Sequence, residues 1–286
     1  MTKMGNQTVS LILGSGGARG LAHIGAIRAI EERGFKVESV AGCSMGALIG
    51  GIYAQGCLHD YVEWIRSINK VDMLRLLDIS LKRGGLVKGD RLIAHLRELV
   101  GEQQIEDLSV PYTAVATDID RQKEVWIDRG PLFDAIRASI SLPFFFLPFQ
   151  TGGSRLVDGG VTNPLPIAPT FRDSTDLSIA VNLSGPVDAS ISKRTMESEN
   201  MIGKLRDKIP FSRPDFSKRD GGVYDVAMLS YEIMQETLTR QKLAVYPPDL
   251  VVNIPRNACS PMGYDEADRL IELGYERTQQ ALEALG

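Results

Sequence analysis

Gly42-Cys43-Ser44-Met45-Gly46 sits between two apolar runs, and this arrangement constrains the fold more than any other feature of the chain. The preceding run, Val37-Glu38-Ser39-Val40-Ala41, reads as a short buried strand, and residues 47–54 read as a helix. Strand, tight turn and helix are the setting in which G-x-S-x-G forms a nucleophile elbow. Gly42 and Gly46 suit a strained turn packed against its neighbours, where a side chain would clash. The Ser44 hydroxyl would then point into a cleft above a helix N-terminus, whose dipole favours negative charge developing there. Taken alone, the pentapeptide fits an ordinary strand-to-helix turn equally well.

A second glycine cluster weighs against the ordinary turn. Leu11-Ile12-Leu13 reads as a first strand and leads into Gly14-Ser15-Gly16-Gly17-Ala18-Arg19-Gly20, with a helix expected over residues 21–33. Consecutive glycines let backbone N–H groups converge on a phosphate or an oxyanion, aided by the helix N-terminus. A dinucleotide fingerprint needs G-x-G-x-x-G. From Gly14 its third glycine falls on Arg19, and the register starting at Ser15 lacks its first glycine. The acidic residue expected at the end of the second strand is also missing, because that strand ends in the serine elbow. The loop therefore reads as an oxyanion hole with Gly16 and Gly17 as donors.

Asp158-Gly159-Gly160 follows the strand-like Arg155-Leu156-Val157. An acid at a strand end, followed by two flexible residues, can be aimed back at a serine, although an isolated D-G-G is usually a turn. The histidines are His23, His59 and His95, and none follows the acid as a Ser–acid–His order requires. A Ser44–Asp158 dyad needs no histidine, since the aspartate itself can take the serine proton and later activate water. In such an enzyme no essential group should titrate near the unperturbed imidazole pKa of about 6.5. His23 follows the glycine loop, and a packed or capping role is expected for it. Cys43 fills the variable position of the elbow and reads as a small buried side chain.

Together these residues resemble the patatin-like phospholipase family. The glycine loop, the G-C-S-M-G elbow and the D-G-G acid occur in the family's order. Gly20-Leu21-Ala22-His23-Ile24-Gly25, Arg137-Ala138-Ser139-Ile140-Ser141-Leu142-Pro143 and Asn163-Pro164-Leu165-Pro166 are similar to small bacterial members related to neuropathy target esterase. The resemblance covers residues 8–184. It implies a three-layer α/β sandwich with a mainly parallel central sheet and helices on both faces. It further implies acyl-ester hydrolysis without metal or cofactor, with Ser44 as nucleophile, Asp158 as base, and Gly16 and Gly17 as oxyanion donors. Gly14, Gly20, Gly42, Gly46, Gly159 and Gly160 support the motifs. Arg19 matches a basic position that faces the lipid headgroup in some members; a surface ion pair is the alternative. Ser15 replaces a glycine frequent in the family, a change expected to be tolerated.

The 286 residues, 43% of them hydrophobic, suffice for one large α/β domain. Its expected parts are the motif-bearing core at 8–184, a polar lid or insertion at 185–248, and a closing strand and helix at 249–286. A net charge of −4 gives no support to nucleic-acid binding. Three dispersed cysteines form neither a disulfide framework nor a metal cluster. Residues 1–7 lack a signal-peptide core and no apolar run has the length of a membrane span, so a cytoplasmic location is expected. Helices are expected at 61–68, 90–99 and 132–140, and strands at 113–118, 124–128, 177–183 and 249–255. A last amphipathic helix at 264–285 should be interrupted near Gly274.

Two segments could meet lipid. Pro143-Phe144-Phe145-Phe146-Leu147-Pro148-Phe149 could line an acyl pocket, but core packing is the expected role. Residues 190–220 carry eight Lys or Arg against five Asp or Glu, with Met201, Leu205 and Ile209 at helical spacing. That segment could be a peripheral membrane contact or a solvated insertion. The expected substrate is thus a phospholipid, a lysophospholipid or a simple acyl ester. A protease or thioesterase with the same dyad, a weakly catalytic regulator and a nucleotide-binding regulator whose glycine loop holds phosphate are the alternatives. The oligomeric state is not legible.

Overall fold

A computed structural model describes residues 7–68, 72, 73, 76, 79, 80, 86–191, 223–260 and 263–285. Most of the basic segment at 190–220 lies outside these residues. The elements are β1 (Thr8–Leu13), α1 (Ala22–Glu32), β2 (Lys36–Cys43), α2 (Met45–Ala54), α3 (Leu58–Ser67), β3 (Ile79–Ser80), β4 (Leu86–Val87), α4 (Asp90–Val100), β5 (Tyr112–Asp118), β6 (Lys123–Ile127), α5 (Leu132–Ser139), β7 (Phe149–Thr151), β8 (Ser154–Asp158), β9 (Leu177–Gly185), α6 (Val223–Val245), β10 (Leu250–Pro255) and α7 (Ala267–Leu285).

The main sheet runs β10-β9-β1-β2-β5-β8-β7, with β6 also paired to β5. From β10 to β5 neighbouring strands are parallel. β8 turns back antiparallel to β5, and β6 and β7 are antiparallel as well. β1 lies in the middle and is buried on both faces. This explains why its second half, Leu11-Ile12-Leu13, is apolar without alternation. Its two faces enter different cores. Val9, Leu11 and Leu13 join β9, α1, α2 and α7 in the largest cluster, whereas Ile12 packs with Leu165, Ile167 and Ala180, against which Leu243 of α6 rests. Helices therefore cover both faces of a mainly parallel sheet, as expected.

Two features depart from the sequence reading. The closing helix is continuous through Gly274 after a short 3₁₀ turn at Tyr264–Glu266. Gly274 allows α7 to cross α1 backbone to backbone: a Cβ there would stand 1.9 Å from the Ala22 carbonyl oxygen. The second departure is α6, a long helix within the segment at 185–248 for which no element was expected. Its buried positions include the polar Gln235 and Thr239, while Val226, Leu229, Ile233 and Met234 face outward. Apolar periodicity marks a buried face, so it could not reveal this helix.

Candidate active site

Ser44 stands where β2 passes into α2. Its backbone has φ 56° and ψ −121°, a conformation that favours glycine and costs a serine roughly 1–3 kcal/mol. Three contacts hold it there. The Ser44 N–H donates to Ser139 Oγ at 2.9 Å, and Ser139 Oγ donates to the Val115 carbonyl at 2.6 Å. The Ser44 carbonyl accepts from the N–H groups of Ala47 and Leu48, which starts α2. Gly46 makes the turn possible, because a Cβ at that position would stand 2.0 Å from the Leu13 carbonyl oxygen. The elbow is thus wedged against the end of β1, and Gly42 is in turn pressed against Gly46 and Ala47. Ser44 is 8% exposed and lines a cavity.

Asp158 is placed beside Ser44 by the reversal of β8. Asp158 pairs with Ala116, the residue after Val115, and Val115 pairs with Cys43. The side chain is completely buried. Its Oδ1 accepts from the Gly160 N–H at 2.7 Å and from the Cys43 thiol at 3.9 Å. Oδ2 closes no hydrogen bond of good geometry, although the Ser44 and Tyr231 hydroxyls lie close enough to favour the ionised form. Burial outweighs these contacts and pushes the Asp158 pKa up to about 6. Burial, with Asp158 alongside, also raises the Cys43 thiol well above its usual value, so a neutral, packed Cys43 agrees with the sequence reading.

Gly16 and Gly17 lie along the cavity with Ser15 and Ser44. The Gly14 N–H donates to the Val181 carbonyl and the Ser15 N–H to the Pro164 carbonyl, which fixes the start of the loop. Gly20 packs on Met45, and Gly159 against Val115. Among the described residues, Arg19 forms no surface ion pair. It is buried, with Nε donating to the Gly16 carbonyl at 3.0 Å and Nη1 to the Arg256 carbonyl at 2.9 Å. It braces the glycine loop while bordering the cavity. His23 is packed, as expected: it is fully buried, its Nε2 meets the Gly14 carbonyl at 2.8 Å, and burial lowers its pKa to about 4. His59 is exposed near Glu63, and His95 lies against Trp64.

The cavity has a volume of about 160 Å³. Beyond Ser44 its walls are apolar, from Met45 and Leu48 of α2, Tyr61 and Trp64 of α3, and Leu92 and Leu96 of α4. Phe145 and Phe146 close another side. The core expectation for the phenylalanine run is therefore wrong. None of its four rings is fully buried; two face the cavity, and Phe144 is exposed at a positive φ. The run is spread along the site because the Phe145 carbonyl and the Leu147 N–H bond to Val87 of β4.

Three site residues escaped the sequence reading. Ser139 lies in a stretch noted only for its resemblance, and no motif marks it as the anchor of the elbow. Tyr231 and Gln235 come from α6. A Cβ on Gly160 would fall 1.9 Å from Gln235 Nε2 and 2.8 Å from the Tyr231 hydroxyl, so the acid turn is shaped to receive this helix.

The patatin-like phospholipase family profile matches residues 11–171. An uncharacterized NTE family protein of Mycobacterium tuberculosis is 36% identical across 96% of this chain and 91% of its own length. Lysophospholipase nte1 of Emericella nidulans is 29% identical across 98% of this chain, which corresponds to 18% of that larger protein. The crystal structure of VipD from Legionella pneumophila superposes with a TM-score of 0.47 at 16% identity, covering 97% of this chain and 67% of VipD. The profile match and the mycobacterial relative settle the family: this chain is a member of the patatin-like phospholipases, a family of lipid hydrolases.

Proposed function

We propose that this protein hydrolyses carboxylic esters of lipids through Ser44 and Asp158. The observation that carries the reading is a strained serine next to a buried carboxylate, at the mouth of an apolar cavity. Ser44 Oγ attacks the ester carbonyl carbon and its proton passes to Asp158. The backbone N–H groups of Gly16 and Gly17 stabilise the oxyanion, helped by the dipole of α2. Collapse of the intermediate breaks the ester bond, and the leaving alcohol takes the proton from Asp158. Water then attacks the acyl-enzyme, again giving its proton to Asp158, and the released Ser44 recovers it. A carboxyl with a pKa near 6 is mostly ionised at neutral pH yet basic enough for this work. No step requires a metal or cofactor.

The acyl chain lies in the cavity, and the alcohol leaves toward Arg19 and α6. An apolar slot of this kind suits a hydrocarbon chain better than an extended peptide, which favours a lipase over a protease. The lysophospholipase relative supports a phospholipid or lysophospholipid as substrate. The test is fluorophosphonate labelling followed by turnover on an ester series of increasing chain length. Labelling at Ser44 and a preference for long chains are expected. Labelling at Cys43, or folded protein without turnover on any ester, would sink the proposal, the latter outcome pointing to a regulatory role.

A further inference from the structure

Among the described residues, two buried polar atoms bordering this site close no hydrogen bond of good geometry: Asp158 Oδ2 and the Tyr231 hydroxyl. Buried polar groups are seldom left unpaired, and an unsatisfied one signals either strain or use. Tyr231 is 6% exposed, lies against the Gly160 turn and reaches the cavity. It comes from α6, which lies beyond the segment that the family profile matches. The helix is tied to the glycine loop as well, since one turn further on Gln235 Nε2 donates to Ser15 Oγ at 3.1 Å. The acid turn and the glycine loop therefore meet on one face of α6.

On the reading of Ser44 and Asp158 given above, we propose that Tyr231 is a positioning residue for the acid, its hydroxyl donating to the free oxygen of Asp158. The bond holds the carboxylate ionised and turned toward Ser44. The direction of donation follows from electrostatics. Burial and the nearby carboxylate keep the phenol protonated, so it can only serve Asp158 as a donor. The other titratable groups around Asp158 are Cys43 on β2 and, acting on Cys43, Glu124 on β6. Lys242 of α6 faces Glu124 at 4.0 Å. Neither Cys43 nor Glu124 supplies a positive charge, which leaves the hydroxyls of Tyr231 and Ser44, the Cys43 thiol and the Gly160 N–H to favour the charged form.

The experiment is the pH dependence of kcat/KM for wild type, Tyr231→Phe and Asp158→Asn on a short soluble ester. Phenylalanine keeps the ring and removes only the donor. Loss of one hydrogen bond to a carboxylate should raise its pKa by about one unit, so the acid limb moves up by that amount. At pH 6 this lowers activity about fivefold more than at pH 8. KM should hold, because the hydroxyl faces the acid. An unmoved limb, or an equal loss at every pH, overturns the proposal, since a merely structural hydroxyl would act that way. Turnover retained in Asp158→Asn is a separate failure, that of the dyad itself, and overturns the proposal along with it. If the phenylalanine variant turns over too slowly, the pH dependence of fluorophosphonate labelling reads the same limb.

Discussion

Ser44 combines a strained backbone with a reactive side chain, and substitution can separate the two. Ser44→Ala should abolish fluorophosphonate labelling and reduce turnover by on the order of 10⁴ to 10⁶. Ser44→Gly should be equally inactive but more stable than the alanine variant by about 1 kcal/mol, because glycine accepts φ 56° without strain. Urea titration of the two variants measures the difference, and equal stability would show that the backbone is not strained at this residue. The roles of the histidines follow from where they lie. Sequence reasoning expects no essential group near pH 6.5; with burial pushing Asp158 up to about 6, the carboxylate itself is expected to titrate close to that range. An acid limb near pH 6 is thus expected from the carboxylate, with activity rising as the proton leaves. The limb should persist at the same pH in His23→Gln, His59→Ala and His95→Ala. Disappearance of the limb in any one of them would make that histidine the base and the enzyme a triad hydrolase.

At the scale of elements, the parts read correctly are those in which burial and sequence pattern agree. β1, β2 and β9 are central strands whose buried stretches hold short apolar runs, Leu11-Ile12-Leu13, Val40-Ala41 and Ile179-Ala180-Val181, and each was legible from such a run. The elbow and the glycine loop were legible because backbone crowding leaves few residue choices, and those choices stand in the sequence as glycines. α6 was hidden by the reverse circumstance, polar residues turned inward to meet the site and apolar residues turned outward. Gly274 misled for a related reason. Glycine within a helix suggests a break when only local propensity is weighed, but tertiary contact decides here. The corresponding prediction is that Gly274→Ala separates α1 from α7. A methyl group cannot sit 1.9 Å from the Ala22 oxygen, so the helices must shift, at a cost of about 3 kcal/mol. Gly25 makes the reciprocal approach to the Ile271 carbonyl, and Gly25→Ala should cost as much. Thermal unfolding compares both with an alanine at the solvent-facing Glu276. A loss below 1 kcal/mol for the two glycine variants would mean that the crossing is looser than described.

For the molecule as a whole, two buried ionisable groups oppose one another in the pH dependence of stability. His23 has its folded pKa lowered to about 4 from 6.5, so its contribution is present above the unfolded value and is lost as pH falls toward 4. Asp158 has its folded pKa raised to about 6 from 3.8, so its contribution is present below the unfolded value and is lost as pH rises through 6. Each difference is worth about 3 kcal/mol at full effect. Between pH 4 and 6 the slopes have opposite signs, because folding releases a proton at His23 and takes one up at Asp158. Stability should therefore vary little across that range on account of this pair. Above pH 6 the protein carries the full penalty of an ionised, buried Asp158, the carboxylate that the proposed chemistry needs. Asp158→Asn removes that penalty. The variant should match wild type near pH 4 and exceed it by about 2–3 kcal/mol at pH 7.5, while losing turnover. It should also expose the histidine alone, its stability falling steadily from pH 6.5 to 4. Urea unfolding at intervals across pH 4–8 provides the comparison. A constant offset between the two proteins would show that Asp158 is not held near pH 6, and a variant less stable at pH 7.5 would show that its hydrogen bonds outweigh the cost of burying its charge.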